Sequence, residues 1–145
     1  MKFRLAFAFA ALTLLSALPL EHPAFADMSA KEIAARWFKT HDRDGDGYLT
    51  VEEVVVYESK ILKREDRDGD GRLSLDEYLG GIPSTMPDVI EAQAKRFARM
   101  DADGDGFVTV DELAVFYRAE LTAADKNGDG KVSLEEWLAF SATEQ

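Results

Sequence analysis

The chain has 145 residues, no Cys, 17 basic and 28 acidic side chains, and a formal net charge of -11. Disulfides are thereby excluded, and the acidic surplus repels phosphate backbones, so nucleic acid is excluded as a ligand while multivalent cations are attracted. With 46% hydrophobic and 10% aromatic residues the chain is no disordered acidic tail, and its length suits one modest domain or two very small ones.

Residues 1–26 read as a secretory signal peptide. Lys2 and Arg4 form a basic start, Leu5 to Leu18 is mostly apolar, and Ala24-Phe25-Ala26 supplies a small-x-small cleavage pattern before Asp27. The rival reading is an uncleaved anchor, but a spanning helix needs about 20 apolar residues. This run is shorter and is broken by Thr13 and Ser16. No Cys near the junction can be acylated, so the expected product is exported, periplasmic or secreted, with no stable membrane anchor after cleavage. Its remaining 15 basic and 27 acidic side chains give a net charge of -12 on residues 27–145. Small exported domains commonly add disulfides or metal to a limited core. Without Cys, metal is the remaining choice.

From residue 42 onward one twelve-residue pattern, D-x-[DN]-x-[DN]-G-x5-E, recurs four times: residues 42–53, 66–77, 101–112 and 125–136. These loops resemble those of the EF-hand family, calmodulin-like in ligand pattern, and the resemblance runs from Lys31 to Phe140. A hard dication takes six to eight oxygens at about 2.3 to 2.6 Å, gathered here from one short segment. Carried onto loop 1, the resemblance implies ligation by Asp42, Asp44 and Asp46, the Tyr48 carbonyl, Thr50 through a water, and both oxygens of Glu53, with Gly47 making the reversal. Loop 2 offers Asp66, Asp68, Asp70, the Arg72 carbonyl, Ser74 and Glu77. Loop 3 offers Asp101, Asp103, Asp105, the Phe107 carbonyl, Thr109 and Glu112. Loop 4 offers Asp125, Asn127, Asp129, the Lys131 carbonyl, Ser133 and Glu136, and its Asn127 lowers the ligand charge by one. The resemblance implies up to four Ca2+, whose charge would bring residues 27–145 from -12 to -4. Because position 7 contributes only its carbonyl, the side chains of Tyr48, Arg72, Phe107 and Lys131 are expected to be unconstrained.

Part of the pattern has a second explanation. Thr50 with Glu53, Ser74 with Glu77, Thr109 with Glu112 and Ser133 with Glu136 are capping boxes, which start helices without any metal. Both readings hold together, since a capping box does not account for carboxylates crowded at alternate positions around a Gly.

The fold class implied is all-α, helix-loop-helix EF-hand repeats whose paired loops meet in short antiparallel bridges. Leu49, Leu73, Val108 and Val132 are the bridge positions. Phe38, Leu62, Phe97 and Leu121 precede the loops, while Val54, Tyr78, Leu113 and Trp137, followed by Tyr57, Gly81, Phe116 and Phe140, open the exiting helices as core. Gly81 also marks an early helix end. Loop starts lie 24, 35 and 24 residues apart. No Pro or Gly interrupts residues 54–65 or 113–124, so each reads as one helix shared by two hands. Such a helix is about 20 Å long, which keeps loops 1 and 2 apart. The expected pairing is therefore loop 2 with loop 3, through Leu73 and Val108, and loop 1 with loop 4, through Leu49 and Val132. The rival arrangement breaks each shared helix and gives two separable lobes.

Two roles for calcium follow: a buffer or calcium-stabilised protein, and a sensor that grips a protein partner through an exposed apolar groove. The second is short of Met, with Met28, Met86 and Met100 after residue 26, although Val54-Val55-Val56-Tyr57 is wider than one buried face needs. Catalysis has little to stand on. His41 is the one His beyond residue 26 and reads as a packing or capping residue, and no nucleophile motif is present.

Overall fold

The computed structural model describes residues 29–143; the signal-peptide reading of 1–26 lies outside them. Six helices and two small sheets are found among these residues. Helix α1 (Ala30–His41) leads into loop 1, which carries β1 (Tyr48–Leu49), and α2 (Val51–Glu65) runs unbroken from loop 1 to loop 2. After β2 (Leu73–Ser74) comes the short α3 (Leu75–Leu79), ended at Gly80, and then α4 (Pro87–Met100) with its Pro at the first helical position. Loop 3 holds β3 (Phe107–Val108), α5 (Val110–Ala124) joins it to loop 4, and β4 (Val132–Ser133) precedes α6 (Leu134–Thr143).

Capping explains where the helices begin. Thr50, Ser74, Thr109 and Ser133 each bond to a Glu three residues on, the side-chain hydroxyl accepting the Glu backbone N–H at 3.3 Å. A fifth box that the loop pattern does not reveal, Ser29 with Glu32, starts α1.

Shared helices and cross-paired loops are what the structure shows. Leu49 lies opposite Val132 in one antiparallel sheet, and Leu73 opposite Val108 in the other. Loop 1 sits at the start of α2 and loop 4 at the end of α5, so α2 and α5 pack against each other antiparallel. Each has 15 residues, about 22 Å of helix. That length separates the two sheets and places them at opposite ends of the pair. Helix α1 packs on α6, and α3 on α4, which closes a single core around the pair.

The apolar stripe of every long helix faces this core. Leu49, Val54, Val108, Ala124 and Val132 are at most 1% exposed, and Phe38, Leu62, Phe97, Leu113 and Leu121 are buried as expected. Gly81 departs from its expected place. It is exposed, because α3 has already ended at Leu79 and the chain is turning. The Val54–Tyr57 run is wrapped: Val54 is buried, Val55 to Tyr57 are half-buried, and Val55 packs on the core.

Between α1 and α6 an aromatic stack continues the core. Trp37 and Trp137 lie with ring centroids 4.2 Å apart, and His41 stacks on Trp37 at 3.8 Å. Trp137 donates its indole N–H to the Ala34 carbonyl at 3.1 Å, tying the last helix to the first. Among the described residues no helix is long and apolar enough to cross a membrane.

Candidate metal sites

Each loop is organised by its own amides before any ion is considered. In loop 1, Asp42 accepts the N–H of Gly45 on Oδ1 at 2.8 Å and that of Gly47 on Oδ2 at 3.1 Å. Asp44 accepts from the N–H of Asp46, and Asp46 from that of Tyr48. These bonds curl the backbone inward and hold the carboxylates in the loop. Gly45 and Gly47 make the curl possible with φ of +75° and +85°, in the left-handed region where a Cβ is strained. The sequence pattern names only the second of these glycines. Loops 2, 3 and 4 repeat the arrangement bond for bond on Asp66, Asp101 and Asp125.

The Glu at position 12 closes each ring from the far side. Glu53 Oε1 accepts from Arg43 N–H at 3.1 Å while Oε2 takes the Thr50 N–H and hydroxyl. Glu77, Glu112 and Glu136 reach back to Arg67, Ala102 and Lys126 in the same way. The carboxylates are held ionised by these donors. Hydrogen bonds from Ser74 and from the Arg67 amide pull the Glu77 carboxyl down to about 2. For Glu53 and Glu112 burial is the largest single influence and pushes upward, but the Thr50 and Thr109 donors together with the loop amides outweigh it and the net shift is downward.

Part of the expected set gathers, three carboxylates in each of loops 1 to 3, with Asp46, Glu77 and Asp105 outside these groups. Carboxylate oxygens of Asp42, Asp44 and Glu53 lie within 4.8 Å of one another, as do those of Asp66, Asp68 and Asp70, and of Asp101, Asp103 and Glu112. In loop 4 Asn127 takes one acidic place, and Asp125, Asp129 and Glu136 keep the same internal bonds as elsewhere. Thr50, Ser74, Thr109 and Ser133 give their hydroxyl protons to the closing Glu. The donor set is hard oxygen and largely anionic, which fits Ca2+. When bound, that ion would neutralise the mutual repulsion of the carboxylates.

Position 7 corrects the expectation of unconstrained side chains. Arg72 of loop 2 lies with its guanidinium carbon 3.9 Å from the Phe107 ring centroid of loop 3, and Lys131 of loop 4 lies 5.3 Å from the Tyr48 ring of loop 1. Both cations also face carboxylates at position 5 of the partner loop. Pairing across the sheet sets these contacts, and no single loop reveals it.

Sequence reasoning missed a second set of polar groups, inside the core. His41 is fully buried, with Nδ1 2.8 Å from the Trp37 carbonyl and Nε2 2.9 Å from Glu58 Oε1. The Trp37 carbonyl can only accept, so Nδ1 donates to it. Arg96, buried between α4 and α5, meets Glu120 at 3.5 Å and the Tyr117 hydroxyl at 3.3 Å. Tyr78 donates to Gln93 at 2.7 Å, and burial pushes its phenol up to about 12. A signal was available, since Glu58 occupies the buried stripe Val54, Glu58, Leu62, and a carboxylate there requires a partner.

The comparison with protein families agrees with the geometry. A family model described as EF hand matches residues 33–55, 61–79, 93–117 and 118–141, one match per loop. A search of curated proteins finds no match to the chain.

Proposed function

This chain belongs to the EF-hand family, and on that premise we propose that it is an exported calcium-binding protein acting as a buffer or as a calcium-stabilised module rather than as a switch. Export is supported by the basic, apolar and small-x-small segments of residues 1–26. Ion binding is supported by the gathered carboxylates of Asp42, Asp44 and Glu53, of Asp66, Asp68 and Asp70, and of Asp101, Asp103 and Glu112, and by the family match at all four loops. The buffer reading rests on one observation: α2 and α5 each belong to two hands. A sensor opens by swinging the helices of one hand apart. Here such a swing at loop 1 drags α2 at loop 2 as well, against packing that includes the α2–α5 contact and the buried His41–Glu58 pair between α1 and α2.

One observation favours the alternative, a sensor or adaptor with a protein partner. A hollow of about 390 Å³ is lined by Met100, Val115, Phe116, Ala119, Ala123 and Phe140 among others, and Val115 is 64% exposed. Its floor is partly apolar. Circular dichroism and thermal melting test the calcium reading. Helicity and Tm rise on going from excess chelator to calcium at millimolar order, and identical curves in the two conditions would overturn it. Export is tested by the N-terminus of the released protein from a secreting host, which should be Asp27.

A further inference from the structure

The two loop pairs carry the same device on their outer faces, although their sequences differ. In each pair one loop has a cation at position 7, Arg72 or Lys131, and the other an aromatic ring, Phe107 or Tyr48, over which that cation lies. The ring holds the cation against the position-5 carboxylate of its own loop. Lys131 Nζ is 3.1 Å from Asp46 Oδ2, and Arg72 Nη1 is 3.6 Å from Asp105 Oδ2. Arg72 Nη2 also donates to Asp70 Oδ2 of its own loop at 3.1 Å.

The oxygen chosen matters. On Asp46, Oδ1 accepts the Tyr48 amide, as on Asp105 it accepts the Phe107 amide. Oδ2 is the oxygen that the loop's own backbone leaves for a cation, and it is the one the partner loop's side chain faces. The two contacts arise from different cations in different loops, at opposite ends of the α2–α5 pair, so one chance rotamer does not account for both.

We propose that Lys131 and Arg72 are affinity-setting counterions, Lys131 governing calcium binding in the loop opposite its own and Arg72 in both loops of its pair. The inference rests on the calcium reading above. A tethered charge and a dication draw on the same carboxylate and repel each other, so the tether weakens calcium in loops 1 and 3, and in loop 2 through Asp70, while steadying the crowded carboxylates when calcium is scarce. Sequence alone assigns Lys131 and Arg72 to loops 4 and 2 as carbonyl donors. Their side chains reach across the sheet to the opposite loop.

The test is a calcium titration followed through the amide resonances of Gly47, Gly71, Gly106 and Gly130, each of which donates to the first Asp of its own loop and so reports one site. Lys131→Gln should lower the calcium midpoint read at Gly47 by about three- to tenfold, the range for one charge facing a dication in a partly screened medium. It should also lower the melting temperature in chelator. Arg72→Gln should do the same at Gly106, and at Gly71 through Asp70. Lys95→Gln, which removes an equal charge from an exposed α4 pair with Glu91, is the control. An unchanged Gly47 midpoint in Lys131→Gln would overturn the proposal. So would equal tightening at all four glycines, matching Lys95→Gln, because that is a net-charge effect. Wild-type resonances that ignore calcium would instead remove the calcium reading, and that is seen before any variant is made.

Discussion

Replacing Glu112 by Gln removes one charge from the third loop and little else, which makes its cost calculable. Its carboxylate accepts three hydrogen bonds: from the Ala102 amide at 2.9 Å, and from the Thr109 amide and hydroxyl at 2.8 Å each. Bonds to a charged acceptor contribute about 1.5–3 kcal/mol each, against about 1 for a neutral one, and the Gln amide turns an N–H toward at least one of these donors. The metal-free protein should lose about 2 kcal/mol, a fall in Tm of roughly 10 °C for a domain of this size. Calcium binding in that loop should fall further. An anionic group with both oxygens in the ring is replaced by one neutral oxygen, for which we expect at least a hundredfold weakening, or about 2.7 kcal/mol. Thr109→Ala is the comparison. It leaves both Glu112 oxygens bonded to backbone amides and removes a cap worth about 1 kcal/mol, so the calcium midpoint should move by no more than about threefold. Calorimetry, with Gly106 as the local reporter, separates the two. Equal losses for the two variants would refute the assignment of Glu112 as the closing ligand.

Other consequences are open to simpler measurements. Glu58→Leu leaves His41 Nε2 without its carboxylate in a fully buried site and should cost about 1–3 kcal/mol in a denaturant melt. The double variant with His41→Phe should recover part of that, and no recovery would argue against the pair. In metal-free buffer the depressed carboxyl of Glu77, about 2 against an ordinary 4.5, stabilises the fold above pH 4.5. That contribution is lost as the pH falls toward 2, because the unfolded chain binds its proton first. Glu53, Glu112 and Glu136 shift in the same direction. Tm should therefore fall with acid over that window, and a flat profile would contradict the bonding described for these groups. A fragment of residues 27–83 lacks both bridge partners, Val132 and Val108, and should show no cooperative melting; independent folding would contradict the closed fold.

The sequence made the loops and their pairing readable for a definite reason. Ligand positions in such a loop are fixed by chain geometry within twelve residues, so Asp42 through Glu53 can be read without knowing the rest. The pairing of Leu49 with Val132 followed from three readings together: α2 has no breaker between Val51 and Glu65, loops 2 and 3 are joined by a turn-forming linker with Pro83 and Pro87, and two antiparallel shared helices then bring loops 1 and 4 together. What escaped reading depends on distant partners. Glu58 and His41 meet across 17 residues, and Lys131 and Asp46 across 85. A residue such as Lys131, assigned by its loop position to a carbonyl role, conceals what its side chain does until the opposite loop is in place. The early helix end expected at Gly81 holds, since α3 stops at Leu79 with Gly80 as its cap, but the core place that helical spacing assigned to Gly81 does not, because the chain is already turning there.

The most direct test of the account is a calcium titration in the presence of a hydrophobic dye, read through Trp37 and Trp137, whose stack joins the first helix to the last. The closed fold with shared helices predicts a saturable change in Trp fluorescence with no rise in dye binding above the chelated protein. Dye uptake that grows with calcium and saturates with it would contradict the buffer reading and establish a surface that opens on loading.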